Sequence, residues 1–298
     1  MKIDQEAIDV KCERSTCRVR KPCLLGRLLA LLPISCALLY PLYLAGQLDL
    51  TEESYASQTL PEAFSGLRLV YLSDIHYGKY LSAQRVAELA ARINELRPDI
   101  VILGGDYGED TEGAIAFFRI LPRLEARLSV LGVMGNHDRT PPESAYGELL
   151  RAMREAGVRP LVNDVQMFMR DGATMAVASV DDFYNGHPDV EAVARLCADA
   201  DFTIFAPHTP DILPAVYQRS GGAFFQLALC GHTHGGQVAI AGHSLKSSSN
   251  YGDRYRAGWY HENGVDILVS CGVGTSFLPV RLGTRPQFHL ITLQRAKK

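Results

Sequence analysis

No Cys-x-x-Cys pair occurs in the 298 residues, although the chain holds seven cysteines. Cys12, Cys17, Cys23 and Cys36 lie in or before an apolar N-terminal segment, and Cys197, Cys230 and Cys271 are scattered through the later chain. The spacing forms no thiolate ligand pattern, and a disulfide framework is not expected at this size. Cys230 and Cys271 end apolar runs and read as buried free thiols. Positive charge is not in excess either. Lys and Arg number 30 against 33 Asp and Glu, a net charge of −3. That balance does not suggest a nucleic-acid surface, which needs clustered Lys and Arg. Internal repeats and low-complexity tracts are also missing. What remains is a chain that is 47% apolar, with material for a sizeable core and a length that large α/β domains reach.

One stretch lacks charge altogether. Residues 28–46, LLALLPISCALLYPLYLAG, run for nineteen residues without an ionisable acid or base, about the length that spans a bilayer core. Pro33 and Pro41 interrupt it, which membrane helices tolerate. From Lys11 to Arg27 there are six bases (Lys11, Arg14, Arg18, Arg20, Lys21, Arg27) and one acid, Glu13, and from Gln47 to Leu67 there are four acids and no base. Basic flanks stay on the cytoplasmic side. The expectation is a basic cytoplasmic tail over 1–27, a transmembrane anchor over 28–46, a polar tether over 47–65 and an extracytoplasmic domain over 66–298. A cleaved leader fits less well, because Leu44-Ala45-Gly46 puts Leu where a small residue is wanted.

From Leu67 onward, short β-rich runs alternate with amphipathic helices. Strands are predicted at Leu67–Leu72, Ile100–Leu103, Val130–Met134, Ala176–Val180, Thr203–Ala206, Leu227–Cys230, Ile267–Ser270 and Phe288–Leu293. Helices are predicted at Ser82–Leu96, near Gly113–Leu121 and near Glu143–Ala156. In the first helix Val86, Leu89, Ala90, Ile93 and Leu96 share one face, with Ser82 as N-cap. The pattern gives an α/β domain of two packed sheets between helical layers.

Histidines and carboxylates gather after these strands. Asp74-Ile75-His76 follows the first, and in extended backbone residues i and i+2 point the same way. Gly104-Gly105-Asp106 follows the second, and Asp106 is placed to bridge two ions. Gly135-Asn136-His137-Asp138 follows the third, with Asn136 facing a metal through its carbonyl oxygen and His137 facing the substrate. His208 follows Thr203–Ala206. Gly231-His232-Thr233-His234-Gly235-Gly236 follows Leu227–Cys230, two imidazoles framed by glycines, and neutral imidazole is the commonest side-chain metal ligand. Five of the nine histidines thus fall just after predicted strands, where α/β proteins place their sites. His187, His243, His261 and His289 lie outside this set and receive no role.

The ordered set Asp74-x-His76, Gly105-Asp106, Gly135-Asn136-His137-Asp138, His208 and Gly231-His232-x-His234 resembles the calcineurin-like metallophosphoesterase superfamily over roughly Leu67 to Leu293. GHTHGGQ (231–237), SVDD (179–182) and GVGTSFLPVR (272–281) are similar to its membrane-anchored bacterial YkuE-like branch, itself similar to UDP-2,3-diacylglucosamine pyrophosphatases. Thr209 departs from the branch, where Asn is expected. The resemblance implies two mixed sheets in a sandwich flanked by helices. It also implies a first ion held by Asp74, His76, Asp106 and His234, and a second by Asp106, Asn136, His208 and His232. Oxygen and imidazole donors without thiolate suit Mn, Fe, Zn or Ni.

Two such ions acidify a shared water and grip phosphoryl oxygens. His137 is then the residue to protonate the leaving oxygen, with Asp138 orienting it, and Arg281 is a candidate phosphate contact. The expected activity is hydrolysis of a phosphodiester or pyrophosphate on a lipid-linked or envelope substrate. Two alternatives are a UDP-2,3-diacylglucosamine pyrophosphatase of lipid A assembly, whose cytoplasmic substrate conflicts with the charge asymmetry, and a non-catalytic metal-binding sensor.

Overall fold

The structure is a computed structural model that describes residues 24–219 and 221–297. In chain order its elements are α1 (Leu24–Ala45), β1 (Asp49–Ser57), β2 (Arg68–Leu72), α2 (Ala83–Glu95), β3 (Ile100–Leu103), α3 (Thr111–Ile120) and β4 (Ser129–Gly132). There follow α4 (Glu143–Glu155), β5 (Arg159–Pro160), β6 (Asp164–Arg170), β7 (Ala173–Ser179), α5 (Val190–Leu196), β8 (Phe202–Phe205) and α6 (Leu213–Tyr217). The last are β9 (Leu227–Cys230), β10 (Ala239–Ile240), β11 (His243–Ser244), β12 (Gly258–Glu262), β13 (Val265–Val269) and β14 (Gln287–Arg295).

Two six-stranded mixed sheets carry the domain, in the orders β1-β14-β2-β3-β4-β5 and β12-β13-β9-β8-β7-β6, with a small β10-β11 hairpin beside them. The two-residue period of a strand decides which layer each side chain enters. In β3, Ile100 and Ile102 join the core between the sheets, while Val101 and Leu103 join the core under α2, α3 and α4. In β9, Leu227 and Leu229 face the other sheet, while Ala228 and Cys230 face the layer that includes residues of α5 and α6. Both faces of each central strand are therefore covered, which is why these runs are continuously apolar. Helix α2 begins where expected: the Ser82 side chain accepts a hydrogen bond from the Arg85 N–H.

Strands β2, β3 and β4 run parallel in the first sheet, and β7, β8 and β9 run parallel in the second. The chain leaves the carboxyl ends of β2, β3, β4, β8 and β9 directly into the five motif loops.

One expectation changes. Residues 47–65 are not a tether: β1 pairs in parallel with β14 from Asp49↔Gln287 to Ser57↔Arg295, and Tyr55 is buried. Asp49 and Glu52, which made this stretch look like a linker, lie on an edge strand, while Glu53 reaches to 3.6 Å from the buried His289. The uncharged run over 28–46 is helical to Ala45, with side chains described from Ser35, and most of the basic tail (1–23) lies outside the described residues. Among the described residues no helix is long and apolar enough to cross a membrane. Of the cysteines described, Cys197, Cys230 and Cys271 are buried free thiols and Cys36 is exposed.

Candidate metal centre

Four of the five motif loops contribute left-handed or closely packed backbone to one place. Asp74, His76, Asp106, His232 and His234 all have positive φ, between 47° and 69°. That region costs a non-glycine residue roughly 1–2 kcal/mol, and such strain persists where the surroundings over-determine it. The gain is that side chains two residues apart turn into the same cavity at the end of a strand. Glycine is required where loops touch: a Cβ on Gly135 would overlap the Asp106 carboxylate, and one on Gly231 would overlap that of Asp74.

The side chains form two groups. Asp74, His76 and His234 offer ligand atoms within 4.8 Å of one another, and so do Asp106, His208 and His232. His76 Nε2 and His234 Nε2 stand 3.1 Å apart, and His234 Nε2 lies 3.6 Å from Asp74 Oδ1. Asp106 joins the groups. Its Oδ1 accepts from the His137 N–H at 2.9 Å, while its Oδ2 lies 3.1 Å from His208 Nε2 and 3.8 Å from His76 Nε2.

Neighbouring carbonyls select the ring nitrogens. His208 Nδ1 donates to the Gly104 carbonyl at 2.7 Å, so Nε2 carries the free lone pair in the neutral ring. His232 Nε2 donates to the Ser248 carbonyl at 3.2 Å, which leaves Nδ1. Such outer contacts fix the tautomer of a ligating imidazole. A direct test of metal fit is the state of the remaining donors. Asn136 Oδ1 is buried with no hydrogen-bond partner, and His208 Nε2, despite its closeness to Asp106, has no aligned one. Buried donors and acceptors are nearly always paired, and a divalent ion among them would satisfy both. The residues fit two ions, with Asp74, His76, Asp106 and His234 around one and Asp106, Asn136, His208 and His232 around the other.

Electrostatics agrees. Burial alone would lower the His208 imidazole, but the Asp106 and Asp74 carboxylates carry it up to about 10. Burial likewise opposes protonation of His76, and Glu109, Asp106 and Asp74 outweigh it. Burial and the facing cations hold His234 well below the ordinary imidazole value, and burial also lowers His232. Without ions, protons on His76 and His208 thus neutralise part of the carboxylate charge.

The other expected residues divide. His137 lines the same cavity and its ring packs edge-on against His76, centroids 4.9 Å apart. Asp138 does not orient it. Its Oδ2 accepts from the Gly135 and Asp106 N–H groups at 2.9 and 2.7 Å, and its Oδ1 from Tyr107 at 3.0 Å. Adjacent side chains in the turn over Asn136–Arg139 diverge, so Asp138 clamps the loop backbones while the Glu109 carbonyl, 2.7 Å from His137 Nδ1, holds the ring. Arg281 is not a phosphate contact. It is wholly buried and donates to the carbonyls of His234 and Cys271 at 2.7 Å and of Gly274 at 2.5 Å. Thr209 accepts from the Asp211 N–H at 3.3 Å, the capping role an Asn would fill. Glu109 was missed: it sits with His76 and His137 in a third close group, its Oε1 3.5 Å from His76 Nδ1. Its only sequence signal is its place three residues after Asp106.

Arg281→Met should strand three buried carbonyls, destabilising the fold by roughly 3 kcal/mol or more and lowering metal content through the displaced His234 loop. Denaturant unfolding and metal analysis of the purified variant check both effects. Metal loading should also release protons. A ligating His208 must give up the proton it holds below about pH 10, so affinity should rise about tenfold per pH unit for each proton displaced. Titration calorimetry in buffers of different ionisation enthalpy measures the release, and buffer-independent heats would contradict it.

Comparison with known proteins agrees with the geometry. Residues 67–236, more than half the chain, match the calcineurin-like phosphoesterase family. The chain is 30% identical to the Bacillus subtilis metallophosphoesterase YkuE over 83% of its own length and 86% of that protein. It is 27% identical to the Escherichia coli phosphodiesterase YaeI, covering 76% of this chain and 82% of that one. It is also 29% identical to a Danio rerio transmembrane protein with a metallophosphoesterase domain over 80% of its length, and spans about half of that longer relative (56%). All seven proposed ligands, from Asp74 to His234, fall within the matched stretch, and the chain belongs to the calcineurin-like phosphoesterase family of two-metal phosphoester hydrolases.

Proposed function

We propose that the protein is a membrane-anchored hydrolase of a phosphodiester or pyrophosphate bond on a lipid-linked or envelope substrate, its domain on the extracytoplasmic side. The observation that carries the reaction is Asp106 Oδ2, which faces His208 of one group and His76 of the other. One carboxylate oxygen shared between two imidazole sites suits a paired-ion centre. The cavity above it, about 620 Å³, supports the substrate class: histidines and Asn136 line its floor, and Val238, Leu245, Phe277, Leu278 and Val280 line its wall. A phosphate with an apolar neighbour matches both surfaces. Anchoring rests on the uncharged run over 28–46 and on the transmembrane relatives. Mn, Fe, Zn and Ni remain equally suited to the donor set.

When bound, the two ions would supply positive charge for phosphoryl oxygens and acidify a water. The protein's own part is orientation and proton transfer. The His137 N–H fixes Asp106 Oδ1, which leaves the other oxygen for the ions that Asp106 would help to hold. The His137 ring donates through Nδ1 to the Glu109 carbonyl, so Nε2 can give a proton to the leaving oxygen when the ring is in its doubly protonated form, and the neutral ring left behind keeps its Nδ1 proton. Proton transfer of this kind contributes about 10²- to 10⁴-fold.

His137→Ala should therefore keep both ions and lose about 10²-fold or more in turnover on esters with basic leaving groups. Its loss on bis-p-nitrophenyl phosphate should be smaller, because that leaving group needs no proton. Asp106→Ala should lose metal and activity together. Metal content and rates on both ester types decide the matter: equal slowing on both, or metal loss in His137→Ala, contradicts the assignment. The membrane face is tested separately. A reporter active only outside the cytoplasm, fused after Lys298, should work. A fusion active in the cytosol would instead favour the UDP-2,3-diacylglucosamine pyrophosphatase reading.

A further inference from the structure

The mouth of the cavity carries apolar side chains that nothing in the domain covers. Phe277 is 78% exposed, Leu278 60% and Leu245 69%, and all three line the metal cavity. Phe277 also has a positive φ of 61°, a conformation that a bulky residue adopts only under constraint. A constrained backbone that presents an aromatic ring to solvent points to a use for the ring. The constraint is visible: the Gln237 side-chain amide donates to the Ser276 and Leu278 carbonyls at 2.9 and 3.1 Å, and its oxygen accepts from the Ser276 N–H.

Cations frame this patch. Lys246 Nζ lies 5.6 Å from the centre of the Phe277 ring, and Lys79 Nζ lies 5.0 Å from that of Tyr80, whose hydroxyl donates to the Phe277 carbonyl at 3.3 Å. The three segments that build the rim, 77–81, 238–248 and 276–282, contain no Asp or Glu. Aromatic rings, leucines and lysines without acids are the composition of a surface that sits among lipid headgroups.

The rim also runs into the end of the uncharged segment. The Arg281 N–H donates to the Pro41 carbonyl at 2.9 Å. Leu42, Tyr80 and Pro279 wall one small recess, and Leu42 and Tyr43 expose their side chains on the last turn of α1.

We propose that Phe277, Leu278 and Leu245, with Lys79 and Lys246, form an interfacial docking surface for an anionic lipid bilayer, so that the metal cavity opens in the headgroup layer. The substrate's apolar part then stays in the membrane while its phosphate reaches the histidines, and the headgroup layer replaces bulk water at the cavity mouth. This rests on the membrane-anchored reading given above, but its test does not require turnover.

The full chain, reconstituted in phosphatidylcholine/phosphatidylglycerol vesicles, is given a single tryptophan on a Trp259→Phe background. The probe is Phe277→Trp or, as a second version, Leu278→Trp; the control is Met169→Trp, 80% exposed on β6 at the far edge of the second sheet. Lipids brominated along the acyl chain should quench the rim probes by more than half and leave the control unchanged. Lys79→Glu combined with Lys246→Glu should reduce that quenching at least twofold. Rim probes quenched no more than the control would overturn the proposal. So would a blue shift of the rim probes that tracks protein concentration and ignores brominated lipid, since a second copy of the chain would then cover the rim. Quenching without hydrolysis of any lipid phosphodiester supports the docking surface and removes only the lipid-substrate reading.

Discussion

Burying the Asp106 carboxylate between two sets of imidazoles is the arrangement the rest of the site is built to permit. A buried carboxylate is costly unless each oxygen has a partner. Here one oxygen takes the His137 N–H and the other faces His208 and His76. The backbone around it is held in turn: the Asp106 N–H and the Gly135 N–H both donate to Asp138, which is itself fully buried. Asp138 is thus placed among like charge, and burial and the neighbouring Asp106 raise its carboxyl to about 7. Divalent ions on Asp106 would relieve that repulsion. Metal binding and the geometry of the loops would then be coupled.

That coupling explains why strain is concentrated here. Of the twelve non-glycine residues with positive φ among the described residues, five are proposed ligands. Each left-handed residue is unfavourable by itself, and all five sit on loops anchored by buried strands on both sides of the sandwich. The two sheets supply rigidity far from the chemistry. Their parallel strands end at one edge, the core between Ile102 and Leu229 offsets the cost of strained loops, and bound ions would offset more of it.

Much of this was legible in the chain. Continuous apolar runs such as Ile100–Leu103 and Leu227–Cys230 are covered on both faces, so they stand out against flanking glycines, and the motifs follow them directly. Edge elements were not legible. Strands β1 and β12 alternate burial weakly, with Glu52 and His261 in solvent, and composition alone makes them look like linkers. Short-range spacing also misled at two residues. Asp138 adjoins His137, yet a tight turn separates their directions; Arg281 lies in an apolar loop, and its burial depends on three carbonyls that only the fold brings together. Glu109 and its contact with His76 depend on how the Asp106 loop turns back, for which no residue pattern exists.

The pairing of β1 with β14 bears on how the protein is made. Strand β14 lies between β1 and β2 in the first sheet, yet it is the last strand in the chain, separated from β1 by more than two hundred residues in the register Asp49↔Gln287. During synthesis β1 leaves the ribosome early with no neighbour to join, and β2 can pair with β3 on one edge only. Each exposes a row of unpaired backbone groups until Gln287–Arg295 arrives. Loop closure over that distance is slow, and open strand edges invite pairing with other chains. The acids of β1, Asp49, Glu52 and Glu53, keep that waiting edge charged. The domain closes only after translation has passed Arg295, by which time the segment before Tyr40 has long since emerged.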